Sequence, residues 1–456
     1  MELSAQFTRY VEHVGECLGR AERKLGLKDY CAALMLPLKR KSIEPLAAAI
    51  DPFHVRAMHQ SLHHFVADSP WSDEAVLGAV QGWVLPKMLP MMAPKMAPKP
   101  GAWTFLIADD SGMPKQGVHS VGVARQYCGQ LGKTESCQVA VSLSIATQHA
   151  SLPIKYRLYI PQSWSDDPQR CRCAGVPADV AFATKPQISL TQIRQAKQAG
   201  MPGEVVAADA GYGDDTGYRD GITELGLMYV VGIKPATSVW APGAAPLPPK
   251  TWSGRGTKPT RLRRDETASP VSVKALALSL EPSQYRKLTW REGTNTKLAS
   301  RFAALRVRPA HRDTLRDVPR DEEWLLIEWP IGEPEPTKYF LSTLPADISR
   351  KALVGAVKIR WRIERDYQEL KQEFGLDNFE GRNWRGFHHH ATLCIAAYGF
   401  LVGERLTRGL STKKNCAFRT PPTLSEGYAR RSTGASPTTR RRLDPNPALG
   451  DRRGVR

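Results

Sequence analysis

Glu364 stands between Arg360 and Lys371 in the stretch "IRWRIERDYQELKQEFG", and in so basic a chain that placement asks for a chemical reason. At about 100° per residue, Ile363, Tyr367, Leu370 and Phe374 form one apolar helical stripe. Arg360, Glu364 and Lys371 fall together on its flank, within about 40° of one another, while Asp366, Glu369 and Glu373 point elsewhere, mostly to solvent. A surface ion pair is the plain reading of Glu364. It fits poorly, because the favourable helical order puts the acid before the base and Arg360–Glu364 runs the other way. Two other stretches carry acids that could join it. "LIADDSG" puts Asp109 and Asp110 where a first strand leaves its sheet, and "VVAADAGYGDD" puts Asp209 at the end of a fourth. Strands ending in Asp and small residues project carboxylates into a crevice at their C-terminal ends; Asp-Gly pairs also make plain turns. Three carboxylates without clustered His or Cys suit hard divalent cations, Mg²⁺ or Mn²⁺. Two such ions can clamp the attacking and leaving oxygens of an in-line phosphoryl displacement.

Composition narrows the substrate. The 456 residues carry 64 Lys plus Arg against 45 Asp plus Glu, a net charge of +19. Such a field favours polyanions, and nucleic acid is the usual one. A glycosidase could also use two carboxylates, but that chemistry leaves the charge unexplained. Hydrophobic content of 41% and charged content of 24% are those of a globular protein. The longest apolar runs, such as "CIAAYGFLVG", are too short to span a membrane, and "MELSAQFTRYVEHVGE" shows no secretory core. Eight cysteines are scattered, and the close pair Cys171 and Cys173 lacks the second pair of a zinc site. A cytoplasmic protein with reduced thiols is expected, associated with the nucleoid.

The elements that must position these acids can be traced in order. Residues 1–98 read as helical, with 3.6-period spacing broken by Pro, Gly and Asp, and with a basic cluster "LKRKS" at 38–42 between helices. "LPKMLPMMAPKMAPKPGAW" reads as a linker, since interior prolines break a helix. Then come strands "AWTFLIA", "CQVAVSLSIA" and "LPIKYRLYIP", a helix "SLTQIRQAKQAG" capped by Ser189 and stopped by Gly200, strand "EVVAA", helix "TGYRDGITELG" and strand "LMYVVGI". Residues 235–350 read as a β-rich insertion, after which helices resume over 351–412. Residues 413–456, rich in Arg, Pro, Ser and Thr, read as a basic, disordered tail.

With these pieces assembled, the chain resembles the prokaryotic insertion-sequence DDE transposases, most closely the insertion sequence seven-oh-one group. The resemblance rests on "YCAALMLPLKRKSIEPLAA", "ADDSGMPKQGVHSVGVARQYCGQLGKTESCQVAVSL", "VVAADAGYG" and "KIRWRIERDYQELKQEFGLDNFEGRNWRGFHHH". The last is similar to that family's tyrosine–arginine–glutamate–lysine signature, with Arg360, Glu364 and Lys371 at its spacing and Val357 at its tyrosine position. The resemblance implies an α/β fold: a ribonuclease H-like mixed sheet with flanking helices, interrupted by the β-rich insertion, with the core split over 99–234 and 351–412. It implies a helical N-terminal DNA-binding region. It also implies that Asp109, Asp209 and Glu364 are the catalytic, metal-binding acids. Asp109 is preferred to Asp110 because Ser111 completes the family's Asp-any-Ser pattern. Arg360 and Lys371 are implied DNA contacts.

The activity so implied is metal-dependent cleavage at terminal inverted repeats, followed by attack of the freed 3′-hydroxyl on target DNA. Two Mg²⁺ or Mn²⁺ ions and no nucleotide cofactor are expected, as are double-stranded DNA as partner, a homodimer on DNA and no membrane. A DNA-binding relative that recognises the ends without cutting is the alternative, and a nuclease without strand transfer a third. Lys115, Arg382 and Arg385 are candidate phosphate contacts. Trp361 and Trp384 read as core residues more readily than as base-stacking ones. Three adjacent histidines, His388 to His390, cannot share one helical face and are not read as a metal site.

Overall fold

The computed structural model describes residues 3–89, 103–292 and 297–409. The "APKMAPKP" part of the expected linker and the tail lie outside them. Helices α1 (Leu3–Gly15), α2 (Ala21–Leu34), α3 (Ile43–Ile50), α4 (Val55–Ala67) and α5 (Asp73–Met88) open the chain. The linker expectation is corrected at its start: α5 continues through Pro86 to Met88.

Strands β1 (Phe105–Pro114), β2 (Ala124–Cys128), β3 (Lys133–Ala146) and β4 (Ser151–Leu158) follow, then short helices α6 (Gln162–Ser165) and α7 (Pro168–Cys173). Next come α8 (Lys185–Gln198), β5 (Val205–Ala208), α9 (Ala210–Gly213), α10 (Thr216–Glu224) and β6 (Met228–Ile233). Ser189 does not cap α8. Thr184 does, in a reciprocal capping box with Gln187, and Ser189 is buried with its hydroxyl 3.0 Å from that of Tyr218.

The β-rich segment contributes β7 (Ser238–Trp240), β8 (Val271–Ser272), α11 (Val273–Leu278), β9 (Arg286–Glu292), β10 (Lys297–Pro309), β11 (Glu323–Pro330) and β12 (Lys338–Ser342). Helices α12 (Arg350–Lys358), α13 (Trp361–Gln372) and α14 (Trp384–Thr407) end the described chain.

Strands β4, β3 and β1 form an antiparallel set, and β5 and β6 run parallel to β1 beyond it. That order is ribonuclease H-like. The β-rich segment continues the same sheet: β12 pairs antiparallel with β6, and β11, β10, β7 and β8 follow outward in one 12-stranded sheet. One hydrophobic core joins the N-terminal helices, the sheet and α14. Buried nearly end to end, α14 spends its apolar run on that core. Among the described residues no helix is long and apolar enough to cross a membrane.

Candidate active-site cleft

The cleft begins where two parallel strands part. β1 and β5 are paired only through Ile107↔Ala207, and β5 ends at Ala208. Asp209 follows at once as the N-cap of α9, its carboxylate accepting the Gly211 N–H at 2.8 Å. The turn can lie close over β6 because Gly232 has no side chain; a Cβ there would sit 2.8 Å from the Ala210 nitrogen. β1 departs from the sequence reading. It does not leave the sheet at Asp109 but stays paired with β3 to Pro114, so Asp109 sits mid-strand. Only its edge towards β5 opens there.

Pleating turns the two neighbouring aspartates to opposite faces. Asp109 takes the Arg360 guanidinium at 2.9 Å on the α13 side. Asp110 is held by Lys185 at 2.8 Å and by the Tyr212 hydroxyl at 3.1 Å on the other. The expected stripe of α13 is buried: Ile363, Tyr367, Leu370 and Phe374 lie in the core. The helix itself breaks at Ile359 and Arg360 rather than running through, so Arg360 stands at its head. The inverted Arg360–Glu364 order now has its reason. The pair is loose, at 3.9 Å, and the arginine's closer partner is Asp109.

The remaining acids of α13 correct the helical-wheel reading in part. Asp366 is buried, with the Ser151 and Tyr398 hydroxyls each donating at 2.7 Å, and burial pushes its carboxyl up to about 6. Glu369 is clasped by Arg365 at 2.9 Å and Arg405 at 2.8 Å. Glu373 alone of the three is exposed. Glu364, by contrast, keeps 64% of its side chain open.

Asp109, Glu364, Lys371, Lys41 and Gln130 line one open cleft. Burial pushes the Asp109 carboxyl up to about 6; Arg360 works against that rise, and Asp209 and Asp110 add to it. Burial alone would lower the Arg360 pKa, but the charges of Asp109, then Asp209, then Glu364 outweigh it and raise it. Lys371 reaches across the cleft to the Gly112 carbonyl at 2.7 Å and to Gln130 at 3.1 Å, and burial lowers its pKa. Lys41, from the "LKRKS" cluster, donates to the carbonyls of Leu34 and Glu373 at the C-terminal ends of α2 and α13. Burial takes its pKa down to about 8. Its close seat requires glycine at position 375, which has φ +67° and a would-be Cβ 2.6 Å from that of Lys41.

The other candidate cations lie off the cleft lining. Lys115 donates to the Phe379 carbonyl at 2.5 Å, Arg385 to the Asp68 carbonyl at 3.0 Å, and Arg382 is exposed. Trp361 and Trp384 are half-buried. Sequence reasoning had not singled out Lys185, Tyr212 or Gln130, which no local pattern marks.

The donor chemistry fits a divalent metal. It is all carboxylate, the donor type of a hard divalent cation, and Asp209 and Asp110 both add to the rise at Asp109. As the side chains stand, no three His, Cys, Asp or Glu among the described residues are close enough to hold an ion.

The sequence profile described as DDE superfamily endonuclease matches residues 13–297, more than half of the chain. The chain belongs to this family. The DDE match takes in Asp109 and Asp209 and stops before Glu364. Membership implies dependence on a divalent metal in general. The chain is also similar to the probable transposase for insertion sequence element IS701 of Microchaete diplosiphon, 28% identical over 198 residues. That alignment covers 43% of this chain and 45% of the relative, so the chain spans less than half of that protein's length.

Proposed function

We propose that this protein is a DNA transposase that cuts at the terminal inverted repeats of an insertion sequence and joins the freed ends to target DNA. One observation carries the reading most of the way. Arg360 stands on Asp109 and feels the charges of Asp209 and Glu364 as well, so carboxylates from a mid-sheet strand, a strand end and a late helix share one guanidinium as neighbour, in a chain of net charge +19. Family membership and the IS701 relative support the same conclusion.

In this reading Asp109, Asp209 and Glu364 hold two divalent ions, Mg²⁺ or Mn²⁺. When bound, such ions polarise a phosphoryl oxygen and stabilise the charge of an in-line displacement. The chain's own groups do the rest. Arg360 and Lys371 flank Glu364 and hold the phosphodiester backbone, and their hold on main-chain and carboxylate oxygens gives way to phosphate. Asp110, tied to Lys185 and Tyr212 on the far face, braces the strand. Residues 1–98 supply sequence recognition, 235–350 extend the catalytic sheet, and a homodimer brings the two element ends together. No nucleotide is consumed: in the cut, water replaces a bridging oxygen and leaves a 3′-hydroxyl and a 5′-phosphate, and in the joining step that 3′-hydroxyl replaces a bridging oxygen of the target, whose own 3′-hydroxyl leaves.

The test is incubation with the element's flanking DNA and Mg²⁺, followed by mapping of the ends. Strand breaks at the repeat boundaries that depend on metal and on Asp209 are expected. Metal-independent binding without cleavage would favour a recognition-only relative.

A further inference from the structure

The β2–β3 hairpin stands at the rim of the cleft and has no part in the mechanism above. Its turn, residues 129–132, is exposed throughout, with Gly132 at φ +64° closing it onto the Cys128 carbonyl. Gly129 and Gln130 line the cleft, so the hairpin's tip is continuous with the site. Beside that tip it presents two apolar side chains to solvent, Tyr127 at 61% and Leu131 at 43% exposure. Basic residues Arg125 and Lys133 stand beside them, also exposed.

Register fixes which way this face looks. β3 is continuous from Lys133 to Ala146 and pairs in step with β1 and β2, giving Asp109↔Ser142, Tyr127↔Thr134 and Arg125↔Ser136. With a two-residue repeat, residues opposite even-numbered β3 positions share one face. Tyr127 and Arg125 therefore project from the same face as Asp109, the face on which α13 carries Glu364. The hairpin folds back against β1, since a Cβ on Gly112, three residues past Asp109, would sit 3.2 Å from the Cys128 Cα. At about 3.4 Å per strand residue, Tyr127 therefore stands within about 20 Å of Asp109, the length of about six base pairs.

We propose that this hairpin is an arm that touches double-stranded DNA as it leaves the cleft, within about six base pairs of the cut. Arg125 meets a phosphate and the Tyr127 ring packs against the groove wall. The proposal rests on the cleft being a DNA-cleaving site. Charge complementarity and continuity with the cleft favour duplex DNA over a second copy of the chain.

Single-turnover cleavage is compared on duplexes reaching about two or about twelve base pairs from the cut, for the wild type and an Arg125→Gln/Tyr127→Ala variant. The wild type is expected to favour the longer duplex about tenfold and the variant to lose that preference, with its salt slope for the longer duplex reduced by about 0.9. A variant that keeps the wild-type preference overturns the arm. So does a variant whose main change is the oligomeric state of the DNA-free protein. A photoreactive phenylalanine analogue at position 127 gives a second measurement: a crosslink within about six base pairs of the cleft-bound site supports the arm, and no DNA adduct overturns it. If the wild type cuts neither duplex, the activity reading has failed, and the crosslink still decides the arm.

Discussion

Two regions of this protein are dense in titratable side chains, and they are built in opposite ways. The cleft brings Asp109, Glu364, Lys371 and Lys41 together from segments far apart in sequence, with the Arg360 guanidinium on Asp109. The run His388 to His390 is contiguous, yet α14 sends each ring to a different neighbour. His388 accepts the Leu158 N–H at 3.2 Å, His389 faces the Val66 and Trp71 carbonyls at 2.9 and 3.0 Å, and His390 bridges Tyr30 at 2.9 Å and Gly375 at 3.0 Å. All three are buried. Adjacency along a helix scatters side chains around it, whereas convergence in space of residues distant in sequence makes a site.

The comparison breaks most sharply under substitution. Asp209→Ala should lower metal-dependent cleavage by a hundredfold or more, on the order of the loss of a positioned charge. Binding to terminal-repeat DNA and thermal stability should stay near wild type. Retained cleavage would remove Asp209 from the site. Next in size, Lys371→Gln should slow single-turnover cleavage by about a hundredfold while moving the unfolding midpoint little, and Arg360→Gln should slow it as much while also lowering stability, because it leaves the buried Asp109 unpaired. Comparable losses of stability and rate in Lys371→Gln would make that lysine a structural contact instead.

The histidines should show the inverse pattern. His390→Ala strands the Tyr30 hydroxyl and the Gly375 carbonyl and opens a cavity, a cost of about 3 kcal/mol in denaturant unfolding. The cleavage rate per folded molecule should hold. The neutral ring suits its partners, since it can accept from Tyr30 and donate to Gly375, and burial lowers its pKa to about 4. The unfolded chain therefore binds the extra proton between about pH 6.5 and 4, and the contribution, complete above 6.5, fades as pH falls through that window. The stability gap between wild type and His390→Gln should accordingly narrow by up to about 3 kcal/mol from pH 7 to pH 4. A gap independent of pH would mean that His390 titrates normally.

How much of this could be read beforehand follows from what is local. The apolar stripe of α13, the strand-end position of Asp209 and the division of the three histidines depend on periodicity alone, and they appear in the structure as read. Thr184 was legible too, since "TKPQ" carries a capping box; Ser189 drew attention because it stands nearer the apolar repeat. Asp366 was not legible. Its burial is decided by Tyr398, 32 residues later on α14, and by Ser151 at the head of β4. The extension of β1 past Asp109 likewise depends on the long partner strand β3, and the short polar edge strand β2 gives a weak alternating signal. Nonlocal partners explain the misses at Asp366, β1 and β2; the cap of α8 was a local one.

The central claim is that Glu364, exposed and loosely paired, is a working member of the acid site rather than a surface ion pair. Glu364→Gln keeps the shape and removes the charge. Single-turnover cleavage of terminal-repeat DNA in Mg²⁺, measured beside thermal unfolding, should show cleavage lost by a hundredfold or more with stability shifted by no more than a few tenths of a kcal/mol. Near-normal cleavage by Glu364→Gln would contradict the account.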